Sequence, residues 1–290
     1  MSIINRIKTK FKSFLVDSIR TAVDETCQNQ ANVMEKSIHD GIKKFFNEDY
    51  QIINRMLQNS KTHTELARFM MEDFNPMYNP YILLKQKAAK ESAEYIEQNM
   101  KEAMIIPMKT WGEKLKVLEH CLKYIPQNSF IVECGVYAGK SINFMADRFP
   151  AAQIYGFDSF EGLPEDWDGY FLEKGTFKTN IPEVRSNVTL FQGWFDQTLP
   201  AFAAEHKGKK IDLLHVDCDI YSSTVTIFEN LHRLLGDGSV IVFDEYFNYP
   251  NWKEHEHKAF KEFCAKYNVR YKYVASGMQQ VAVMIESINH

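Results

Sequence analysis

The sequence predicts an α/β fold: a mostly parallel seven-stranded sheet with one antiparallel strand near its end, preceded by an α-helical N-terminal region. Three observations predict it. From about residue 106 onward, short apolar runs alternate with helical patterns, as in a sheet whose crossovers are helices. The first five are short apolar runs, which suits strands buried on both sides. The last two runs are joined by Ser276-Gly277-Met278, a hairpin-like connection that reverses one strand.

The elements follow in order. Residues 1 to about 105 read as helical, with Gly41 the only glycine and Pro76 and Pro80 the only prolines. Ile4, Ile7, Phe11, Phe14, Leu15 and Ile19 recur at three/four spacing and make one apolar face. Arg6, Lys8, Lys10 and Lys12 make the first turns basic. Two readings stand side by side: an interfacial helix that touches anionic lipid or a partner, and a solvated face on a helix that packs or self-associates. Phe74-Asn75-Pro76-Met77-Tyr78-Asn79-Pro80 reads as a turn-rich break. A helix-like segment from Trp111 to Tyr124 then leads into the sheet. Strands are expected at 129–134, 153–158, 187–192, 212–217, 239–244, 270–275 and 279–285, with helices near 139–149, 222–235 and 254–267. The expected organisation is a helical accessory or oligomerisation region over 1–105 and one catalytic-type domain over 106–290.

Composition narrows the classes. Hydrophobic residues are 45% and charged residues 25% of the chain, an ordinary globular balance. The net charge of -4 argues against a general nucleic-acid binder, which needs a basic field. Cys27, Cys121, Cys134, Cys218 and Cys264 form no CxxC pair and read as reduced thiols of a cytoplasmic protein. There is no run of about 18 apolar residues and no signal-peptide core, so neither a spanning helix nor a secretory leader is expected.

Five blocks carry chemistry. In Phe130-Ile131-Val132-Glu133-Cys134-Gly135-Val136-Tyr137-Ala138-Gly139-Lys140-Ser141, a buried strand runs through a glycine turn into a helix start. Glycines admit a tight turn and close backbone approach, and the helix N-terminus offers N–H donors. The spacing is not the GxGxxG of dinucleotide folds, which disfavours a nicotinamide oxidoreductase. The acid before the first glycine suits a cationic ligand group better than a pyrophosphate. A plain strand-to-helix turn is the bland reading. Next, Asp158 ends the following strand in Gly156-Phe157-Asp158-Ser159-Phe160-Glu161-Gly162-Leu163-Pro164. It can accept ribose hydroxyls or simply cap a helix. Leu190-Phe191-Gln192-Gly193-Trp194-Phe195 brings aromatics to the edge where an adenine would stack, or else into the ordinary core.

Two further strands end in acids: His215-Val216-Asp217-Cys218-Asp219-Ile220-Tyr221 and Phe243-Asp244-Glu245-Tyr246. Strands lie about 4.8 Å apart, so Asp217, Asp244 and Glu245 can converge at the carboxyl edge and hold Mg²⁺ or a similar hard cation. Otherwise they are solvated strand-end acids. His255 and His257 read as substrate contacts or as a hydrated helix start.

Taken together, these blocks resemble the macrocin O-methyltransferase family, within the class I S-adenosylmethionine-dependent methyltransferases, over about residues 106–286. The resemblance implies a Rossmann-like seven-stranded sheet whose last strand is antiparallel, S-adenosyl-L-methionine as cofactor, Mg²⁺, and methylation of a hydroxyl on a sugar or glycosylated metabolite. It implies cofactor contacts from Glu133, Gly135, Tyr137, Gly139, Ser141, Asp158, Ser159, Gly193, Trp194 and Asp217. It also implies metal ligation by Asp217, Asp244 and Glu245, and Asp219 as general base. The family shows two aspartates where this chain has Asp244-Glu245. A catechol-like phenol is an alternative acceptor, because any vicinal diol can chelate a metal. A non-catalytic interaction module built on the helical N-terminus is the alternative from another class. The expected partners are a small-molecule or glycan acceptor, a further copy of the chain in a homo-oligomer, and a membrane surface touched peripherally by the first helix.

Overall fold

A computed structural model describes residues 80–108 and 113–290. The basic amphipathic helix expected over the first 20 residues and the turn at 74–79 lie outside the described residues. The chain divides into two compact units, 1–84 and 85–290. The second unit begins before the 105/106 boundary expected above and takes in residues 85–105.

The described elements are α1 (Pro80–Asn99), β1 (Met104–Ile105), α2 (Leu115–Cys121), β2 (Phe130–Cys134), α3 (Lys140–Arg148), β3 (Gln153–Asp158), β4 (Val188–Gln192), α4 (Phe195–Glu205), β5 (Leu213–Val216), α5 (Tyr221–Leu231), β6 (Val240–Phe243), α6 (Glu256–Lys266), β7 (Arg270–Ser276) and β8 (Val281–Ser287). They form one sheet in the order β1-β7-β8-β6-β5-β2-β3-β4. Only β8 runs against its neighbours β6 and β7. All seven expected strands are present, and the reversed strand is the last.

The sheet has eight strands because Met104–Ile105 pairs in parallel with Ala275–Ser276 at the edge. Two residues are too short to show a strand period. Helix α4 also escaped the pattern. Pro200 sits inside it, and only Leu199 and Phe202 are buried. Pro200 lies at the sixth position, where its missing N–H forfeits a helical hydrogen bond.

Both faces of the sheet are covered. Val117, Leu118 and Cys121 of α2 and Ile142, Met145 and Ala146 of α3 pack on one face. Leu199 and Phe202 of α4, Ile227 and Phe228 of α5 and Phe260 and Phe263 of α6 pack on the other. The residues of β2, β5 and β6 are all buried, which explains their continuous apolar runs. Each Val, Leu, Ile or Phe side chain among them contributes about 1.5–3 kcal/mol by leaving water. The strand order reverses between β2 and β5. The crevice at their carboxyl ends is therefore the place where an open α/β sheet accepts a ligand.

Candidate active site

The ladder continues past the strand ends and draws the motif residues together. Gly135 N–H donates to the Phe157 carbonyl (2.9 Å), Asp217 N–H to Cys134 (2.9 Å), Asp244 N–H to Val216 (3.0 Å) and Gly193 N–H to Asp158 (3.0 Å). Five of the predicted positions are thus fixed to adjacent strands at one edge.

The glycine loop is held from two sides. A Cβ on Gly135 would lie 1.7 Å from the Asp217 carbonyl oxygen, so the loop rests directly on the end of β5. Gly135 and Gly139 both take positive φ, 95° and 74°. Tyr137 shares that handedness at φ 49° and stands half exposed, its ring edge-on to Phe177 at 5.8 Å. Helix α3 starts at Lys140, with Ser141 buried in its first turn, so the unbonded N–H groups of that turn open toward the loop.

Asp158 buttresses this loop. One carboxylate oxygen accepts the N–H groups of Val136 and Tyr137, both at 2.8 Å. The other accepts Phe160 N–H at 2.7 Å. Ser159 Oγ accepts Glu161 N–H, which shapes the next turn. Gly193 and Trp194 follow β4. Trp194 is half-buried in extended conformation, and its carbonyl accepts the N–H groups of Gln197 and Thr198 in the first turn of α4. Phe191 points into the core, stacked on Phe157 at 4.8 Å.

Glu133 is placed deeper than an edge contact. It is fully buried, and Oε1 meets Nδ1 of His215 at 2.7 Å across the β2–β5 pairing. Its Oε2 has no partner. Burial alone would lower the His215 pKa, but the Glu133 partnership outweighs it and holds it above the ordinary imidazole value.

The acids do converge, in a grouping the sequence did not show. Carboxylate oxygens of Asp217, Asp219 and Glu245 lie within 4.8 Å of one another, and so do single ligand atoms of His215, Asp217 and Asp244. Asp217 is the shared member. The expected trio of Asp217, Asp244 and Glu245 is not among these groups. Lys114, just ahead of α2, inserts its ammonium between Asp244 Oδ2 (2.5 Å) and Asp217 Oδ2 (3.3 Å). Glu256, the first residue of α6, is a fifth acid. It is fully buried and accepts Glu245 N–H at 3.1 Å.

The electrostatics follow the crowding. Burial, then Asp217, drives the Asp219 pKa well above the carboxylate range. Burial and Asp244 do the same to Glu245, and burial and Asp219 to Glu256. Burial and Asp244 raise Asp217 to about 6. Burial pushes Asp244 upward too, but the Lys114 and His215 charges prevail and hold it below the usual range. Asp219 takes a left-handed backbone, φ 70°. That conformation costs about 1–3 kcal/mol in a non-glycine residue, less for Asp, and marks a position held by its surroundings.

The 159–186 connection is folded against this edge. Trp167 is buried and packs on Tyr170, Tyr249 and His255. Tyr170 stacks on Tyr249 at 5.3 Å, and Ser222 Oγ donates to Glu165 at 2.7 Å. His255 and His257 are not a hydrated helix start. His255 Nε2 pairs with Asp168 Oδ1 at 2.8 Å. His257 sits among Tyr95, Tyr246 and Trp252, at centroid distances of 5.2, 5.1 and 4.9 Å.

Sequence reasoning missed Lys114, His215 as the Glu133 partner, Glu256 and Tyr249. Glu256 was visible as an acid between two histidines, but its side chain turns inward only because α6 starts there. Lys114 lies 103 residues from Asp217 and had no local signal.

A glycine loop thus stands at the switch point of a sheet with one reversed last strand, beside a set of buried acids. Residues 132–246 match the family model described as a methyltransferase domain. An 8-demethyl-8-(2,3-dimethoxy-α-L-rhamnosyl)-tetracenomycin-C 4'-O-methyltransferase of Streptomyces olivaceus is 27% identical over 161 residues, which are 46% of this chain and 60% of that protein. A demethyldecarbamoylnovobiocin O-methyltransferase of Streptomyces niveus is 25% identical over 184 residues, 54% of this chain and 67% of its own length. The match thus spans about three fifths of the first relative and two thirds of the second. The solved O-methyltransferase NovP superposes with a TM-score of 0.49 at 20% identity, over 60% of this chain and 80% of its own.

Proposed function

We propose that this chain transfers a methyl group from S-adenosylmethionine to a hydroxyl of a sugar or glycosylated metabolite. The observation that carries this reading is the cluster of Asp217, Asp219 and Glu245 within 4.8 Å, beside the glycine loop. The activities for which the two Streptomyces relatives are named support the acceptor class.

The donor set fits a hard divalent cation. Five acids face one lysine and one histidine, and Glu245 Oε2 and Glu256 Oε1 are buried without partners. Unpaired buried carboxylates at this density favour a bound cation. Asp217 and Glu245 would hold Mg²⁺, with Asp244 as the third acid of the set. The glycine loop fits a cofactor, because Gly135 and Gly139 bring backbone close and Asp158 fixes the loop's amides. When bound, S-adenosylmethionine supplies a sulfonium methyl and Mg²⁺ acidifies and aims a hydroxyl.

The chain's own groups do the rest. Gly135, Tyr137, Gly139 and Ser141 form the wall for the methionine portion, while Glu133 sets the strand end beneath them through His215. Asp158 and Ser159 face the ribose side, and Gly193 and Trp194 the base. Asp219, held at the edge by its left-handed backbone, takes the hydroxyl proton. Trp167 and Tyr170 cover the edge and exclude water, and aromatic faces suit a sugar ring. Two aligned reactants account for much of the rate.

Calorimetry with S-adenosylhomocysteine, with and without Mg²⁺, tests the cofactor reading. No binding in either case overturns it. Asp219→Asn is expected to lower turnover by about 10²–10⁴-fold with the cofactor still bound, and full activity would remove Asp219 from its role. An acceptor panel of rhamnosides and catechols separates sugar from phenol. Residues 1–105 serve as an accessory, self-associating region, and light scattering of the full chain at several concentrations reads the oligomer. Contact of the N-terminal segment with a membrane surface fits its basic residues Arg6, Lys8, Lys10 and Lys12 and is read by sedimentation with anionic vesicles. A reducing, cytoplasmic setting fits the four free thiols among the described residues.

A further inference from the structure

We propose that Trp167, Tyr249, His255 and Glu256 form a hydroxyl-recognition subsite, which binds the acceptor sugar through hydroxyls other than those at the metal. The inference rests on the sugar-methylation reading given above and names what that site recognises.

The four side chains meet beside the acid edge. The rings of Trp167 and Tyr249 lie 5.7 Å apart, those of Tyr249 and His255 5.9 Å, and those of Trp167 and His255 6.3 Å. Glu256 follows His255 in the chain, and its Oε2 accepts the Glu245 N–H at 3.1 Å, which joins the group to the strand end that carries the acids. Gly169 brings the covering turn down on Tyr249, since a Cβ there would lie 2.8 Å from the ring.

Each of the four is more than nine-tenths buried and keeps one polar atom without a partner: Trp167 Nε1, Tyr249 Oη, His255 Nδ1 and Glu256 Oε1. Unpaired polar atoms are costly to bury, so four of them on neighbouring side chains call for a ligand. Their chemistry is mixed. The indole N–H only donates, while the phenol donates and accepts. His255 Nε2 faces Asp168 Oδ1 at 2.8 Å, and burial lowers the pKa of the ring. The neutral ring thus carries its proton on Nε2, and Nδ1 accepts. A hydroxyl both donates and accepts, so several hydroxyls on one ring match this set. A catechol has only the two hydroxyls that would face the ion, and it gains nothing here. The turn over the subsite, closed by the Trp167–Leu172 pair, is tied to its surroundings through the exposed Glu165, Asp168 and Asn251. Exposed ties of this kind hold weakly, so the turn can shift to admit a sugar.

The test uses the full chain with S-adenosylhomocysteine and Mg²⁺. The probes are phenyl glycosides of six-carbon sugars, a phenyl rhamnoside among them. Calorimetry is expected to show that Tyr249→Phe binds the best of these glycosides about three- to ten-fold more weakly than wild type, the loss of one hydrogen bond. Its affinity for S-adenosylhomocysteine should be unchanged and its melting temperature no lower, a split that a merely structural hydroxyl would not produce. Unchanged glycoside affinity in folded Tyr249→Phe overturns this inference and leaves the sugar reading intact. If that variant does not fold, the wild type decides with deoxy analogues of the same glycoside, each lacking one hydroxyl. At least one hydroxyl beyond the methylated one and its neighbour is expected to be needed for full affinity, and a series in which none is needed rejects the subsite. No glycoside bound by the wild type overturns the sugar reading and this inference with it.

Discussion

Glu133 and His215 face each other directly across β2 and β5, with Oε1 of one 2.7 Å from Nδ1 of the other and neither side chain exposed. This pair lies two residues below the edge that carries Gly135 and Asp217, so it sets the spacing of both. Breaking it from one side strands a buried polar group. His215→Leu is expected to destabilise the domain by about 3–5 kcal/mol. The double variant Glu133→Leu/His215→Leu should recover a large part of that loss, because a matched apolar pair leaves nothing unsatisfied. Denaturant unfolding of the two single variants and the double variant measures the coupling. A double variant as unstable as the sum of the singles would remove the pair from this role.

This pair also marks the limit of what the chain shows before folding. The apolar runs of β2, β5 and β6 are legible because strands buried on both faces are mostly apolar, with Glu133 and His215 the polar exceptions in β2 and β5. The edge acids are legible because a strand that ends in Asp or Glu stops at water or at a ligand. Residues reaching the edge from elsewhere left no such mark. Lys114 comes from a helix start 103 residues from Asp217 in the chain, and Glu256 looks like any acid in a helix's first turn. Glu133 was legible as an acid before a glycine. Its inward direction depends on His215, 82 residues away. The same local pattern therefore serves an edge contact and a buried brace, and only the neighbouring strand tells them apart.

Two glycines with similar backbone make a contrast that tests close approach. Gly135 and Gly208 both have positive φ, 95° and 85°. A Cβ on Gly208 would meet nothing within 4 Å, whereas one on Gly135 would strike the Asp217 carbonyl. Gly208→Ala is expected to cost only about 1–2 kcal/mol, from handedness alone. Gly135→Ala must also push β2 from β5, so it should abolish S-adenosylhomocysteine binding and lower stability by several-fold more. Thermal melts and calorimetry of the two variants check this, and equal effects would reject the steric account.

His257 gives the domain an acid-sensitive element. Burial, with help from Lys261, depresses its pKa from 6.5 to about 4. Because the folded-state value is the lower one, the unfolded chain binds more protons between those values, and stability rises with pH across that window. The contribution is intact above about pH 6.5 and declines as pH falls toward 4. The full shift corresponds to about 3 kcal/mol, reduced by the part of the ring that solvent reaches. His257→Phe keeps a ring among Tyr95, Tyr246 and Trp252 but removes the proton site. Its unfolding free energy should fall less between pH 7 and pH 4.5 than that of wild type. Parallel pH profiles would assign the acid loss to other groups.

Tyr246 and Tyr249 sit three residues apart, both fully buried, with opposite hydrogen-bond circumstances. Tyr246 Oη lies 3.2 Å from the Tyr273 hydroxyl and 3.4 Å from that of Tyr95. Tyr249 Oη has no partner, and Glu256 and Glu245 lie near enough to raise its pKa beyond what burial does. Removing a hydroxyl that has partners strands them, at about 1–3 kcal/mol, whereas removing an unsatisfied one relieves a desolvation penalty. Tyr246→Phe should therefore lower the unfolding free energy by about 1 kcal/mol, and Tyr249→Phe should leave it unchanged or raise it. The rings stay in place in both variants, so the stacking of Tyr170 on Tyr249 is retained and the difference reports the hydroxyls alone. Urea titrations of both variants in EDTA decide the matter. A Tyr249→Phe loss as large as that of Tyr246→Phe would show that the Tyr249 hydroxyl is satisfied by a bound water at the acid edge.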